Sequence, residues 1–291
     1  MDIQILEILK AVLFGLVEGI TEWLPISSTG HMILLNEFIK LNVSEEFWSM
    51  FEVVIQLGAI LAVVVVFWKN IWPFGKKNNL EPLGKTGPLS FVKMDIIKLW
   101  VKIIIACIPA AVIGLAFNDV FEALFYNFQT VAIFLIIFGI AFIVIENKYK
   151  GKSFKVQTVQ ELTWKLCLII GMFQLIAAVF PGTSRSGATI VGALLIGVSR
   201  VAAAEFTFYL AIPVMFGASL LKLVKFGLDF TPGELAILVT GMVVAFVVSI
   251  LVIKFLMGYI KKHDFKVFGW YRIVLGILVL VYFGVKTAVM M

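Results

Sequence analysis

Apolar residues run along this chain in long continuous stretches, and polar residues gather in short clusters between them. A helix needs about 20 mostly apolar residues to cross a bilayer. Six stretches meet that length, over 50–68, 96–117, 129–146, 203–225, 234–258 and 269–289. Two further apolar regions, 5–40 and 163–200, are broken in the middle by Pro, Gly, Ser and Thr. The first break reads Trp23-Leu24-Pro25-Ile26-Ser27-Ser28-Thr29-Gly30-His31, the second Pro181-Gly182-Thr183-Ser184-Arg185-Ser186-Gly187. Each half is too short to span. Non-helical backbone survives at membrane depth only where protein or water satisfies its polar groups. The pattern therefore predicts two re-entrant helix–loop–helix hairpins beside six transmembrane helices. Continuous rather than alternating runs speak against a transmembrane β-barrel.

Composition supports this reading. Of 291 residues, 62% are hydrophobic and 14% charged, against about 25% charged in a typical soluble domain, and the mean hydropathy is +1.06. A soluble globule of this size has no means of hiding that much apolar surface. A soluble enzyme, a disordered chain and a disulfide-built secreted domain are excluded; an all-α polytopic membrane protein remains. The net charge of +6 comes from lysines in short inter-helix segments, the pattern of cytoplasmic loops, so no nucleic-acid partner is expected. Cys107 and Cys167 lie in apolar runs without ligand-like spacing and read as core thiols. Met1-Asp2-Ile3-Gln4 has no basic n-region, and no small-residue cleavage pattern follows; a cleaved signal peptide is not expected.

The two broken regions resemble each other. A shift of 156 residues places Gly15 on Gly171, Glu18 on Gln174, Ile20 on Ile176, Pro25 on Pro181, Ser28 on Ser184 and Thr29 on Arg185. Three spans follow each hairpin, and an odd number turns the second copy over. The expectation is one integral membrane domain, 1–291, built as an inverted-topology repeat with one copy over about 1–147 and the other over about 160–291. Loop charge agrees. Lys69, Lys76, Lys77, Lys85 and Lys93 occupy 69–94; Lys148, Lys150, Lys152, Lys155 and Lys165 occupy 147–165; Lys261, Lys262 and Lys266 occupy 258–268. The six-span arrangement puts all three segments on one side, the cytoplasmic one by the positive-inside rule. Segments 41–49, with Glu45 and Glu46, and 118–128, with Asp119 and Glu122, then face outward, as do both termini. Lys222 and Lys225 near an outer end and Lys286 at the tail depart mildly from the rule and are assigned to snorkelling.

Polar side chains at membrane depth are costly and are read as functional by default. Glu18 and Glu22 are four residues apart, on one helix face. Two such carboxylates resist double ionisation. A divalent cation relieves the repulsion, Mg²⁺ characteristically on one or two carboxylates plus substrate phosphate; the alternative is a helix end lying in the headgroup region. Ser27, Ser28, Thr29 and His31 bring hydroxyls and one of the chain's two histidines, fit for acid–base or nucleophilic work or for simple helix capping. Arg185, one of three arginines among 24 basic residues, sits between Ser184 and Ser186 in a Gly-rich break, and its planar fork matches phosphate oxygens. Hairpins entering from opposite faces bring these groups into one polar pocket, an inventory suited to phosphoryl transfer. Gln56, with Glu52 one turn before it, and Gln174 are candidate pocket-lining residues. Gly15-x₃-Gly19 reads as a site of close approach within the hairpin. Glu205 reads as interfacial, His263 as a solvated loop residue, and Trp23, Trp68, Trp72 and Trp270 as interface markers.

The run Gly15-Leu16-Val17-Glu18-Gly19-Ile20-Thr21-Glu22-Trp23-Leu24-Pro25-Ile26-Ser27-Ser28-Thr29-Gly30-His31 resembles the first signature of the bacterial undecaprenyl-diphosphatase family, also called bacitracin-resistance proteins. Pro181–Gly187 resembles its second signature, and Phe51-Glu52-Val53-Val54-Ile55-Gln56-Leu57-Gly58-Ala59 also fits. The likeness extends over essentially the whole chain in length, spacing and hydropathy. It implies hydrolysis of undecaprenyl diphosphate to undecaprenyl phosphate and inorganic phosphate, which recycles the lipid carrier for peptidoglycan and protects against bacitracin. It implies a multi-pass protein of the bacterial plasma membrane whose site opens to the outer face. By position, Glu18 and Glu22 match the family's acidic pair for Mg²⁺ or Ca²⁺. His31 and Ser28 match its candidate catalytic residues, and Ser184 and Arg185 match its phosphate-binding loop, with Ser27, Thr29, Thr183 and Ser186 as further phosphate contacts. The nucleophile is left open between Ser28, His31 and water, and a homodimer is left open as the association state. The rival reading is a transporter or flippase of a polyprenyl phosphate or another anionic lipid, since broken helices in inverted repeats also build transport sites.

Overall fold

The computed structural model describes residues 2–76, 79–84 and 86–290. Met1, Lys77 and Lys85 lie outside the described residues, and the side chains of Asp119 and Glu122 are likewise not described. The described residues form twelve α-helices. The first broken region gives α1 (Asp2–Thr21) and α2 (Ser28–Phe38); α3 (Glu45–Val54), α4 (Gln56–Val66) and a single turn, α5 (Trp68–Ile71), follow. Next come α6 (Met94–Phe125) and α7 (Phe128–Lys148). The second broken region gives α8 (Trp164–Val179) and α9 (Arg185–Leu195), and α10 (Arg200–Phe226), α11 (Pro232–Tyr259) and α12 (Lys266–Met290) close the chain.

Among the described residues, six helical stretches are long and apolar enough to cross a membrane: Glu45–Val66, Met94–Gly114, Phe128–Lys148, Arg200–Phe226, Pro232–Tyr259 and Lys266–Val289. They coincide with the six expected runs. Two boundaries differ. The segment expected as an outer loop around 41–49 is partly helix, because Ser44 caps α3 by accepting from the Phe47 N–H, and Glu45 and Glu46 occupy the first turn, where carboxylates favour a helix N-terminus. The loop expected over 118–128 is mostly helix, with α6 continuing to Phe125 so that only Tyr126 and Asn127 separate it from α7. The first span is also interrupted at Ile55, between α3 and α4.

The helices pair across the two halves of the chain. α1 lies along α11, α8 along α6, and α7 along α12, while α4 rests on α11 and α10 on α6. Small residues set the approach. A Cβ on Gly15 would sit 2.6 Å from the Gly241 carbonyl oxygen of α11, and one on Gly171 would overlap the Ala106 carbonyl of α6. The Gly15-x₃-Gly19 pattern thus serves close approach to α11 rather than within the hairpin, where it was expected. Outward faces carry apolar side chains such as Val112, Leu251 and Val281, the surface a bilayer accepts. Of the expected interface tryptophans, Trp68, Trp72 and Trp270 are exposed. Trp23 is a correction: it is fully buried, edge-on against Phe208. Cys107 and Cys167 are free thiols, Cys167 buried and Cys107 half-buried. His263 is exposed and stacks on Tyr259.

Candidate functional site

The site is built where the two breaks meet. Each break ends in a serine with left-handed backbone: Ser27 has φ 74° and Ser184 φ 66°, and no other non-glycine residue among those described has positive φ. Each of these serines caps the helix that follows. Ser27 Oγ accepts from the Gly30 N–H at 3.3 Å, and Ser184 Oγ from the Gly187 N–H at 3.2 Å. Both capped helices have 11 residues. Left-handed backbone at a non-glycine residue costs on the order of 1–3 kcal/mol and persists where the surroundings hold it, commonly at functional sites.

Cap geometry corrects the expected register. Ser27, not Ser28, corresponds to Ser184, and Ser28 then corresponds to Arg185. Between its proline and its capping serine the second break holds one more residue than the first. It contains Gly182, at φ 89°, and a Cβ there would overlap the Val131 backbone. Arg185 is likewise not in a loop but is the first residue of α9.

Glu22 joins the two units. One carboxylate oxygen accepts from Ser28 Oγ at 2.7 Å. The other accepts from an Arg185 guanidinium nitrogen at 2.8 Å, with both side chains almost buried at 13% and 9% exposure. The second terminal nitrogen of Arg185 donates to the Thr207 carbonyl of α10 at 3.0 Å. Ser186 Oγ donates to the Glu22 carbonyl at 3.2 Å and lies 3.1 Å from Ser184 Oγ. Charge-assisted bonds of this kind are roughly twice as strong as neutral ones. The expected convergence of Glu22, Ser28, Ser184, Arg185 and Ser186 is therefore present.

A second arginine, to which the sequence assigned no role, binds both breaks. Arg272 of α12 is fully buried. It donates to the Pro25 carbonyl of the first break at 3.2 Å and to the Gly182 and Thr183 carbonyls of the second at 2.9 and 2.8 Å. It also reaches Phe134 and Leu135 carbonyls of α7 at 3.4 Å. The breaks leave backbone carbonyls without helical partners, and in a membrane interior each must be satisfied by protein. Arg272 does this for both units at once. The signal was its rarity, as one of three arginines and the one inside the last span.

Beside Glu22 lies a cavity of about 280 Å³. It is lined by Glu18, Ser28, Thr29, Glu52, Gln56 and Lys222 and by apolar residues that include Phe121, Pro181 and the 177–179 stretch. Glu18 is buried, with one carboxylate oxygen lacking any hydrogen-bond partner. Glu22, Glu52 and Arg185 all lie within its electrostatic reach. Arg185 Nε and Thr183 Oγ1 are also buried without partners. Buried polar atoms are nearly always paired, so these three are exceptions, and Glu18 is the one among them that lines the cavity. Among the described residues, no group of three or more His, Cys, Asp or Glu is arranged to hold a metal ion.

Of the expected site residues, Glu18, Ser28, Thr29 and Gln56 line the cavity, while Glu22, Ser27, Thr183, Ser184, Arg185, Ser186, His31 and Gln174 do not. The ring of His31 stacks on Tyr271 of α12, with its Nδ1 2.7 Å from the Ser27 carbonyl and its Nε2 2.6 Å from the Tyr271 hydroxyl. A carbonyl only accepts, so Nδ1 carries a proton, and in the neutral ring the tyrosine hydroxyl donates to Nε2. Gln174 is buried against α8's neighbours with neither amide atom partnered. Glu205 bonds the Tyr209 hydroxyl and Asn70 at the opposite end of α10 from Lys222.

The family described as Bacitracin resistance protein BacA matches residues 11–278. The chain is 64% identical over 285 residues to a protein of Desulfitobacterium hafniense named undecaprenyl-diphosphatase, covering 98% of this chain and 99% of the relative. Undecaprenyl-diphosphatase 1 of Clostridium acetobutylicum is 63% identical over 278 residues, covering 96% and 98% of the two chains. An undecaprenyl-diphosphatase of Enterococcus faecalis is 59% identical over 280 residues, with coverage of 96% and 98%.

Proposed function

This chain belongs to the bacitracin resistance protein BacA family, and from that premise we infer that it is an undecaprenyl-diphosphatase. It is a hydrolase of the membrane that converts undecaprenyl diphosphate to undecaprenyl phosphate and inorganic phosphate. Identity of 64% along nearly the whole length of a relative of that name carries the assignment. The cavity agrees with it in kind: its lining combines apolar side chains with hydroxyls, carboxylates and one ammonium. The substrate is thus a lipid whose headgroup is a diphosphate, met within the bilayer.

Our reading of the chemistry starts at Ser28. Its hydroxyl lines the cavity and donates to Glu22, the arrangement of a nucleophile beside its base. Ser28 Oγ attacks the terminal phosphorus, its proton passes to Glu22, and the bond to the bridging oxygen breaks, releasing undecaprenyl phosphate. Water then cleaves the phosphoserine, restoring the hydroxyl and freeing inorganic phosphate. Arg185 neutralises charge developing on the phosphoryl oxygens. Ser184 and Ser186, with Ser27 and Thr183, hold the two breaks in shape, and Thr29 faces the headgroup. His31 holds the Ser27 carbonyl and so positions the start of α2; attack by His31 or directly by water are the competing routes.

The family resemblance implies Mg²⁺ or Ca²⁺, and the donors fit. Glu18 offers an unpartnered oxygen. Each oxygen of Glu22 accepts one bond and keeps lone-pair capacity. Glu18 and Glu22 are the residues we assign to the cation. When bound, it would neutralise phosphate charge.

We read the architecture as an inverted repeat of one re-entrant hairpin plus three spans. The reciprocal pairings α1 with α11 and α8 with α6, and the matched glycines 15 and 171 within them, support it. Lysine-rich connections on one side favour an inner-membrane orientation with the cavity opening outward.

The test is phosphate release from a C55 diphosphate by the purified protein in detergent, with and without chelator, beside Ser28→Ala and His31→Ala. Metal-dependent release is expected, abolished by Ser28→Ala and reduced by His31→Ala. No release from a folded wild type supplied with metal and lipid overturns the hydrolase and leaves lipid-phosphate transport. Loss in His31→Ala alone moves the nucleophile to the imidazole.

A further inference from the structure

Lys222 breaks the charge pattern of the loops, since it lies near the outer end of a span where lysine is disfavoured. The structure gives it a place that snorkelling does not explain. Its side chain lines the same cavity as Glu18, Glu52 and Ser28. Among the described residues lining that cavity it is the one cation. Its ammonium donates to Ser49 Oγ of α3 at 2.8 Å. Ser49, Glu52 and Gln56 follow one another at helical spacing along α3 and into α4. The wall therefore runs from the ammonium, past a carboxylate, to the amide.

That wall poses an electrostatic problem. A diphosphate entering a cavity faced by two carboxylates meets like charge, and low-polarity surroundings strengthen the repulsion. Arg185, assigned to the phosphoryl oxygens, is shared with Glu22 and the Thr207 carbonyl and is not among the cavity's lining residues. Lys222 is the cation that lines the cavity itself. A compact ammonium with three donors on a flexible stem suits capture of phosphate oxygens as a point charge.

We propose that Lys222 is a substrate-binding residue. It holds the diphosphate headgroup in the cavity that Ser28 also lines and gives the site its preference for two phosphates over one. The proposal rests on the reading of this cavity as the substrate site. It assigns Lys222 to binding and not to bond cleavage.

The test measures binding of two probes to the purified full chain: farnesyl methylenediphosphonate, which resists hydrolysis, and farnesyl phosphate. Lys222→Gln is expected to weaken diphosphonate binding about tenfold, the worth of a charge-assisted contact, and the monophosphate much less. Lys222→Arg restores most of the affinity. Ser49→Ala removes the α10–α3 hydrogen bond but keeps the charge, and holds the diphosphonate within about twofold of wild type. In turnover, Lys222→Gln raises KM and leaves kcat near its original value. An unchanged preference between the two probes in Lys222→Gln overturns the proposal. So does a Ser49→Ala loss equal to that of Lys222→Gln, which would make the lysine a structural tie. A wild type that binds the diphosphonate through Lys222 without releasing phosphate overturns the hydrolase reading and leaves this one standing.

Discussion

The α1–α2 and α8–α9 units share a backbone and differ in chemistry. Both break at a proline, both turn through a left-handed serine, and both restart as an 11-residue helix capped by that serine. On this common frame the first unit carries Glu18 and Glu22, and the second carries Gln174 and Ala178 at the matching positions. After the cap the second carries Arg185 where the first has Ser28. Acid and hydroxyl thus come from one copy and the guanidinium from the other, and the Glu22–Arg185 pair is their joint. On the reading proposed above, a repeated frame provides the two helix starts, and divergence of a few side chains makes the pair a site.

Breaking that joint is the largest perturbation available. Arg185→Ala leaves Glu22 buried with one oxygen unpartnered, and removes the cation assigned to the phosphoryl oxygens. Losing one partner of a buried pair costs about 3–5 kcal/mol, and losing one such electrostatic donor lowers turnover about 10²–10³-fold. Glu22→Gln is expected to fall as far, because it also takes the base from Ser28. Phosphate release per folded molecule, with folding followed by size exclusion in detergent, checks both. Because the two act through one contact, the double variant falls little further than either single one; additive losses would show that the units act separately.

Next in size is Arg272→Met. It strands the Pro25, Gly182 and Thr183 carbonyls in the interior, and unpartnered buried polar groups cost about 1–3 kcal/mol each. A fall in thermal midpoint is expected together with a loss of turnover of about tenfold or more. Arg272→Lys recovers part of each, since an ammonium reaches fewer carbonyls than a planar fork. Stability lost with full turnover in the surviving protein would mean that the breaks keep their shape without the arginine.

These residues also mark what the sequence disclosed. Six spans, both breaks and the polar inventory were legible, because membrane solvent forces apolar continuity and makes each polar intrusion conspicuous. The ends of α3 and α6 were not, since acidic residues that look like loop also suit a helix end in water, as at Glu45 and Glu46. The role of Arg272 was hidden because its partners are backbone carbonyls, which no side-chain pattern reveals. The register of the second break depended on φ at Ser184 and on one extra glycine, where sequence identity at Ser28 and Ser184 pointed one residue astray. Lys222 was visible, but only as an exception to a rule about loops.

The shared frame is tested at its caps. Replacing a capping serine by alanine costs about 1 kcal/mol, and alanine keeps the left-handed strain that glycine releases. Ser27→Ala and Ser184→Ala are expected to lower thermal stability by similar amounts, the latter slightly more because it also loses its contact with Ser186. Glycine at either position should be milder than alanine. A severalfold difference between the two sites would show that the breaks are not equivalent in energy despite their matching angles.

The smallest effect belongs to the position where the copies have diverged without a visible use. Gln174 corresponds to Glu18 and is buried, yet neither atom of its amide has a partner and it lies outside the cavity wall. An unpaired buried amide costs about 1–3 kcal/mol of desolvation, and methionine fills a similar volume without it. Gln174→Met is expected to hold or raise the thermal midpoint, with turnover within about twofold, under ~0.5 kcal/mol in the barrier. If turnover instead fell tenfold, the second unit would be contributing to the site through α8 as the first does through α1. The comparison would then change from one acidic copy supported by a passive one to two active copies.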